Sequence, residues 1–280
     1  MFAGKKSAQI REILISESAW EEMTCLFAPS LSEYVEWDYG EIVANGWVHI
    51  NQIKTEINRE NSFLIATEGS SDSHILQKAF KLIKPSVCEF FRFIDVTSGH
   101  PFPGTGGLSK FAEGLVKIDV QNQIIFVLDN DSEGVEAFKK IIKMKLPHNM
   151  SCICLPDLKE FESFPTCGPD GLTLSNINGT AAAIECYLDL TYSEYDSYIV
   201  RWTNYKKETG MYQGALEFKE YYAKRYLDTS EVKLIESKYD TSKLEALLNA
   251  IIDACSKLSG AIRIEKIKSH YPNIWTEEKV

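Results

Sequence analysis

Residues 123–134, QIIFVLDNDSEG, decide how the rest of the chain is read. The apolar run from Ile124 to Leu128 stops abruptly on Asp129 and Asp131. An uninterrupted apolar run between polar ends predicts a strand buried on both faces, as in the middle of a parallel sheet. The aspartates then fall at its carboxyl end, the edge where open α/β sheets build their sites. Residues two apart on a strand point the same way, so both carboxylates are expected on one side. Ser132, Glu133 and Gly134 follow, and VEAFKKIIKMK predicts a helix leaving the sheet.

Outward from this strand, elements alternate. SFLIATEG, from Ser62, is a short apolar run ending on Glu68 and Gly69. SDSHILQKAFKLIK has apolar residues at Ile75, Leu76, Ala79, Phe80, Leu82 and Ile83, a helical period. Asp72 falls in its first turn, where a negative side chain is favoured, and Pro85 closes it. CEFFRFIDV predicts a second strand, SGHPFPGTGG a loop, LSKFAEGLVKI a second helix and MSCICLP a fourth strand. Repeated strand–helix–strand units predict an α/β fold, a parallel sheet with helices on both faces. Residues 159–178 are expected to be an exposed loop, TAAAIECYLDL a helix carrying Glu185, and YIVRWTN a late strand. From Tyr212 to Leu258 the pattern is mostly helical, clearest in LEALLNAIIDACSKL. Residues 1–60 are mixed, with a short helix at KKSAQIREILIS and a hairpin or extended cover between Ser32 and Asn51. The expected division is 1–60, an α/β domain over 61–228 and a helical C-terminal region over 229–280.

Composition sets outer bounds. The chain of 280 residues, 44% hydrophobic, can bury a real core. Its net charge of −10 argues against a protein that coats DNA by charge, though not against an acidic site bridged to phosphates by metal ions. No apolar stretch approaches the length of a membrane span, and MFAGKKSAQIREIL lacks a signal-peptide core, so a cytoplasmic protein off the membrane is expected. Seven scattered cysteines, an odd number, favour free thiols over a disulfide framework.

Glu68, Asp72, Asp129 and Asp131 therefore share one edge of the sheet. Neighbouring carboxylates stay ionised together only beside a cation, and hard oxygen donors favour Mg2+ or Mn2+. The pattern Glu68-Gly69-Ser70-Ser71-Asp72, then Gly106-Gly107, then Asp129-Asn130-Asp131 resembles the Toprim domain of topoisomerases, primases and overcoming-lysogenisation-defect (OLD) nucleases. It covers residues 62–157, and more loosely reaches 227. Within Toprim proteins, the Ile184-Glu185 pair after Gly179-Thr180-Ala181-Ala182-Ala183 resembles the second-metal glutamate of OLD-like and HEPN/Toprim-type bacterial defence nucleases. Those proteins also use a later lysine; Lys219 is the counterpart chosen, with Lys207 as rival.

The resemblance implies metal-dependent hydrolysis of nucleic acid, DNA foremost, in anti-phage defence. Glu68, Asp129 and Asp131 would hold one ion, Asp72 and Glu185 would hold or orient a second, and Lys219 would offset transition-state charge. Arg201, Lys206, Lys207 and Lys224, interleaved with aromatics, suit a nucleic-acid strand. GTGGLSK departs from the Walker pattern, so no ATPase is read here. A separate ATPase or regulatory subunit, and homo-oligomerisation, stay open as partners.

Plainer readings stand beside these. An aspartate after a strand is often only a turn or helix cap. Glu185 and Lys219 each fit a solvated surface. His74 fits a surface or partly packed side chain, and His100 falls in the Gly-Pro loop. Cys152 and Cys154 lack zinc-site spacing. The competing functions are a non-catalytic Toprim module binding nucleic acid or a partner, and, lower, a DxD phosphatase.

Overall fold

The computed structural model describes residues 62–94, 102–169, 171–195, 197–206 and 211–270. The helix and hairpin expected within residues 1–60, His100 and Lys207 lie outside them. The central sheet is built from β1 (Phe63–Ala66), β2 (Phe91–Phe93), β3 (Gln123–Leu128) and β5 (Met150–Cys154). All pairs are parallel and the order is β2-β1-β3-β5, so β1 and β3 are inner strands. β4 (Asn130–Asp131) directly follows β3.

Burial on both faces explains the unbroken apolar run. Ile125 and Val127 join one core with Phe63, Ile65 and helix α1 (Ser70–Ile83). Ile124, Phe126 and Leu128 join a second core with α2 (Gly104–Lys117) and α3 (Ser132–Lys143). Ile124, Ile125, Phe126 and Leu128 are 0% exposed, so neither face of the strand meets water. The chain is thus α/β, with a four-stranded parallel sheet flanked by helices.

Four local expectations are corrected. The glycine-rich stretch opens α2 instead of preceding it: Gly107 runs so close to Phe102 that a Cβ would stand 2.6 Å from its carbonyl carbon. Residues 159–178 are largely a hairpin, β6 (Phe164–Gly168) and β7 (Gly171–Ser175), held by a ladder of Thr166, Thr173 and Ser175 hydroxyls. Residues 211–216 form β10 (Met211–Leu216), antiparallel to β9 (Val200–Lys206), so the tail becomes helical only from Lys219. With β6 and β7 these strands make a second sheet, in the order β10-β9-β6-β7.

The fourth correction concerns the segment carrying Glu185. It is β8 (Ala181–Ala182) followed by a 3-10 turn, Ile184–Tyr187. Its backbone is recruited elsewhere: Ala181 and Ala182 pair with Asp131 and Asn130, and the Ile184 amide donates to the Asp129 side chain. An amide used this way has no helical carbonyl to join.

Helices α4 (Lys219–Asp228), α5 (Glu231–Glu236) and α6 (Ser242–His270) follow. Leu244, Leu247, Leu248 and Ile251 of α6 pack into the core of β1 and α1. Lys78 of α1 reaches the end of α4 and donates to the carbonyls of Tyr226, Leu227 and Thr229. A cation there satisfies orphan carbonyls and opposes the negative end of the helix dipole. Lys78→Met should cost about 2 kcal/mol by leaving those carbonyls without a charged donor. Thermal unfolding should show it as a fall of about 4–8 °C.

Candidate active site

The two inner strands deliver the central carboxylates. β1 ends at Ala66, and after Thr67 the chain turns at Glu68 and Gly69 into α1. Thr67 Oγ1 donates to the Gly69 carbonyl and lies 2.8 Å from Ser73 Oγ, which fixes the turn. The Gly69 amide donates to Asp72 Oδ2 at 2.9 Å, so Asp72 caps the helix start while staying at the sheet edge. Glu68 Oε1 accepts from the Asp129 amide at 3.0 Å, tying the ends of β1 and β3 together.

Asp129 uses Oδ1 to accept from the Ile184 amide at 3.0 Å. That bond and the β4–β8 pairing hold Glu185 against the site, where it is 6% exposed. Asn130 reinforces the clamp. It accepts from the Gly179 amide and donates to Asp157 Oδ1.

Asp131 is engaged differently. Its Oδ1 caps α3 by accepting from the amides of Glu133 and Gly134, and its Oδ2 accepts from Gln213 Nε2 at 2.8 Å. The helix-cap reading therefore describes one of its oxygens. A carboxylate has about four lone-pair sites: the two amides fill those of Oδ1, and Oδ2 keeps one.

The electrostatics of the group are unusual. Burial pushes the Glu68 carboxyl up to about 8; the Asp129 amide opposes this, and Asp131, Asp72 and Glu133 add to it by repulsion. Burial pushes Asp72 up to about 7, with repulsion from Glu185 adding and the Gly69 amide and Lys219 opposing. Asp129 is raised well above the carboxylate range by burial and by Asp72, Glu68, Glu185 and Asp131. Glu185 is raised by burial, with Lys219 pulling it back. A carboxylate with this many charged neighbours and little water prefers its proton unless a cation replaces it.

The protein supplies one such cation. Lys219 is the first residue of α4, where a positive charge meets the wrong end of the helix dipole. Desolvation would lower its pKa, but Glu185, Asp129, Glu220 and Asp72 outweigh that and hold it raised. Lys219 is solvent-exposed and within electrostatic reach of Glu185, Asp129 and Asp72.

A pH dependence follows from the signs. The folded-state pKa values of Glu68 and Asp72 lie above their ordinary values, so the native state binds more protons than the unfolded state between about 4.5 and 8. Stability should therefore fall as pH rises through that window. Melting scans in chelator should give a higher midpoint at pH 5.5 than at pH 8.5, on the order of a few degrees. Millimolar Mn2+ should shrink the difference by stabilising the ionised form.

Among the described residues, no three His, Cys, Asp or Glu side chains stand close enough to hold a metal as they lie. The chemistry of the donor set nevertheless fits a hard divalent cation. Its oxygens are carboxylate, each carboxyl has unused lone pairs, and the crowding disfavours ionisation without a counter-charge. The nearby thiols do not compete, because burial and the acidic neighbours push Cys154 up to about 12.

The basic residues are less concentrated. Arg201 on β9 is exposed and its Nε donates to Glu217 Oε1 at 2.5 Å. Lys224 is exposed on α4, Lys206 ends β9, and Lys207 lies outside the described residues. His74 is exposed on α1.

Gln213 escapes the sequence reading, because the pattern from Tyr212 onward reads as helical. The apolar–polar alternation of VRWTNYK and MYQGAL, flanking Gly210, is the hairpin signal that could find it. Comparison with protein-family models, curated proteins and solved structures finds no match.

Proposed function

We propose that this chain is a divalent-metal-dependent nuclease of Toprim type that hydrolyses phosphodiester bonds of nucleic acid, DNA foremost. The observation that carries the reading is the meeting of Glu68, Asp72 and Asp129 at the carboxyl edge of a parallel sheet, with Glu185 buried beside them and Lys219 within electrostatic reach of Asp72, Asp129 and Glu185. Carboxyls drawn together and partly withdrawn from water are costly for stability, and a function that uses them is the economical explanation.

Glu68, Asp129 and Asp131 would hold one Mg2+ or Mn2+, and Asp72 and Glu185 a second. Bound cations supply Lewis-acid polarisation of the phosphodiester and acidification of the attacking water. The chain's own residues do the rest. Gln213 holds Asp131 in orientation, and the Ile184 amide does the same for Asp129. Lys219 offsets charge that develops on the phosphoryl oxygens. Gly69 has an extended φ of −140°, and a Cβ there would make only ordinary contact with Asp72, so the fold itself does not demand glycine. Close approach of a phosphate to the backbone gives it a use. Lys219→Met should lower turnover by about 10²-fold, with little change in KM if the ammonium acts on the transition state.

A second reading is favoured by one specific observation: both oxygens of Asp131 already have partners. That arrangement also suits a silent Toprim module that binds nucleic acid or another subunit. Incubating the protein with supercoiled plasmid and single-stranded DNA, with Mg2+ and with Mn2+, separates the two. Cutting that needs metal and is lost in Asp129→Asn supports the nuclease; strand binding without cutting under either metal supports the module. A role in anti-phage defence and a partner ATPase rest on the resemblance alone, and a location in the cytoplasm on the scattered, odd-numbered cysteines. No helix among the described residues is long and apolar enough to cross a membrane.

A further inference from the structure

A cavity of about 260 Å³ lies at the entrance to α4. Its walls include Tyr195, Tyr198, Phe218 and Tyr222, together with Ser197. Phe218 immediately precedes Lys219, so this cavity adjoins the acidic site through one peptide bond.

Two observations set it apart from ordinary packing. Tyr195 and Phe218 are stacked at 4.6 Å with their planes 11° apart, yet they are 41% and 55% exposed. A stacked pair of rings left facing water is a surface that lacks its third layer. Second, Phe218 sits at φ 56°, ψ 30°, the left-handed region that a bulky residue rarely enters. That backbone turns the ring outward while starting the helix that carries Lys219, and strain of this kind collects at binding sites.

We infer that this cavity binds one unpaired nucleobase of a nucleic-acid strand, stacked on Phe218 and Tyr195, with the strand's backbone passing Lys219. The ligand class follows from the walls. A flat aromatic ring supplies the layer that the open stack lacks, and a base in a duplex cannot leave its own stack without cost. Stacking tolerates any base, so the cavity selects single-stranded or extruded nucleotides over duplex, with little sequence preference. Arg225, whose guanidinium lies 4.9 Å and 5.9 Å from the Tyr192 and Tyr221 ring centres, is paired with Glu194 at 3.0 Å, so exposed Lys224 is the residue of this helix that offers positive charge to a flanking phosphate. The passage of the strand toward Lys219 rests on the nuclease reading; the base cavity does not.

The test is binding, measured by fluorescence anisotropy in the full chain carrying Asp129→Asn, so that cutting does not interfere. The probes are short single strands of DNA and of RNA, each beside an abasic strand of equal length and charge. Base-bearing strands should bind about tenfold more tightly than their abasic partners. Phe218→Asn, which tolerates the left-handed backbone, should abolish that preference, and Phe218→Tyr should keep it. Whether DNA or RNA shows the larger preference names the natural strand. Equal affinity for base-bearing and abasic strands, no binding of either, or a preference that survives Phe218→Asn overturns the inference. A base preference in a protein that never cuts with metal would instead overturn the nuclease reading and leave the cavity standing.

Discussion

Glu68→Gln and Asp129→Asn should each reduce metal-dependent cleavage by on the order of 10³-fold or more. Each should also melt at a higher temperature than the wild type in chelator at pH 8.5. The two effects have one cause. Glu68 and Asp129 are desolvated and repelled by their neighbours, so their charge opposes folding until a cation offsets it. The substituted side chains keep the local bonds. In Glu68→Gln the carboxamide oxygen can still accept from the Asp129 amide, and in Asp129→Asn it can still accept from the Ile184 amide. What is lost is the negative charge. Removing a buried unpaired charge commonly gains stability of about 1–3 kcal/mol, a rise of about 2–12 °C in a domain of this size. Added Mn2+ should raise the wild-type midpoint and leave the variants nearly unmoved. A variant that loses both activity and stability would point to a structural role for the carboxyl instead.

Gly134→Ala should be the most damaging glycine-to-alanine change among the described residues. Gly134 lies in the first turn of α3, and its amide donates to the capping Asp131 Oδ1 at 2.7 Å. A Cβ there would stand 2.1 Å from the Asp129 carbonyl oxygen and 3.0 Å from its carbon. Those are backbone atoms, so no rotamer change relieves the clash. Either α3 moves off the end of β3 or Asp129 moves, and in both cases the carboxylates part. The expected cost is about 3 kcal/mol or more, at the upper end for overpacking. Calorimetry should show a fall of at least about 6–12 °C. Cleavage should be lost even below the melting transition. Gly104→Ala is a useful contrast: it has open space around it, and its penalty comes only from a φ of +73°.

These two sites show what was legible in the sequence. The run Ile124–Leu128 announced a strand buried on both sides, and that is how it packs, alternate residues feeding separate cores. The ends of SFLIATEG and QIIFVLDND announced a shared acidic edge, and the structure joins them by a direct bond from the Asp129 amide to Glu68. Periodicity reports burial, and burial of a long strand is a strong signal. What was not legible depends on distant partners. TAAAIE has the composition of a helix, but its amides are claimed by Asp129 and by pairing with Asn130 and Asp131, more than forty residues away in the chain. MYQGAL reads as part of a helical tail because its strand pairing depends on β9, outside its own stretch of sequence. With it goes Gln213, which orients Asp131. Asp131 is expected from the sequence either to face a cation beside Asp129 or to serve as a turn or helix cap; the structure shows the cap of α3.

We propose that the carboxylate cluster is a site for a divalent cation, and calorimetric titration of Mn2+ into the wild-type protein and Asp129→Asn, at pH 8, decides it. Binding by the wild type should be saturable, with protons released from Glu68 and Asp72 as metal enters, and the variant should bind little or none. No saturable heat with the wild type, or equal binding by both proteins, would contradict it.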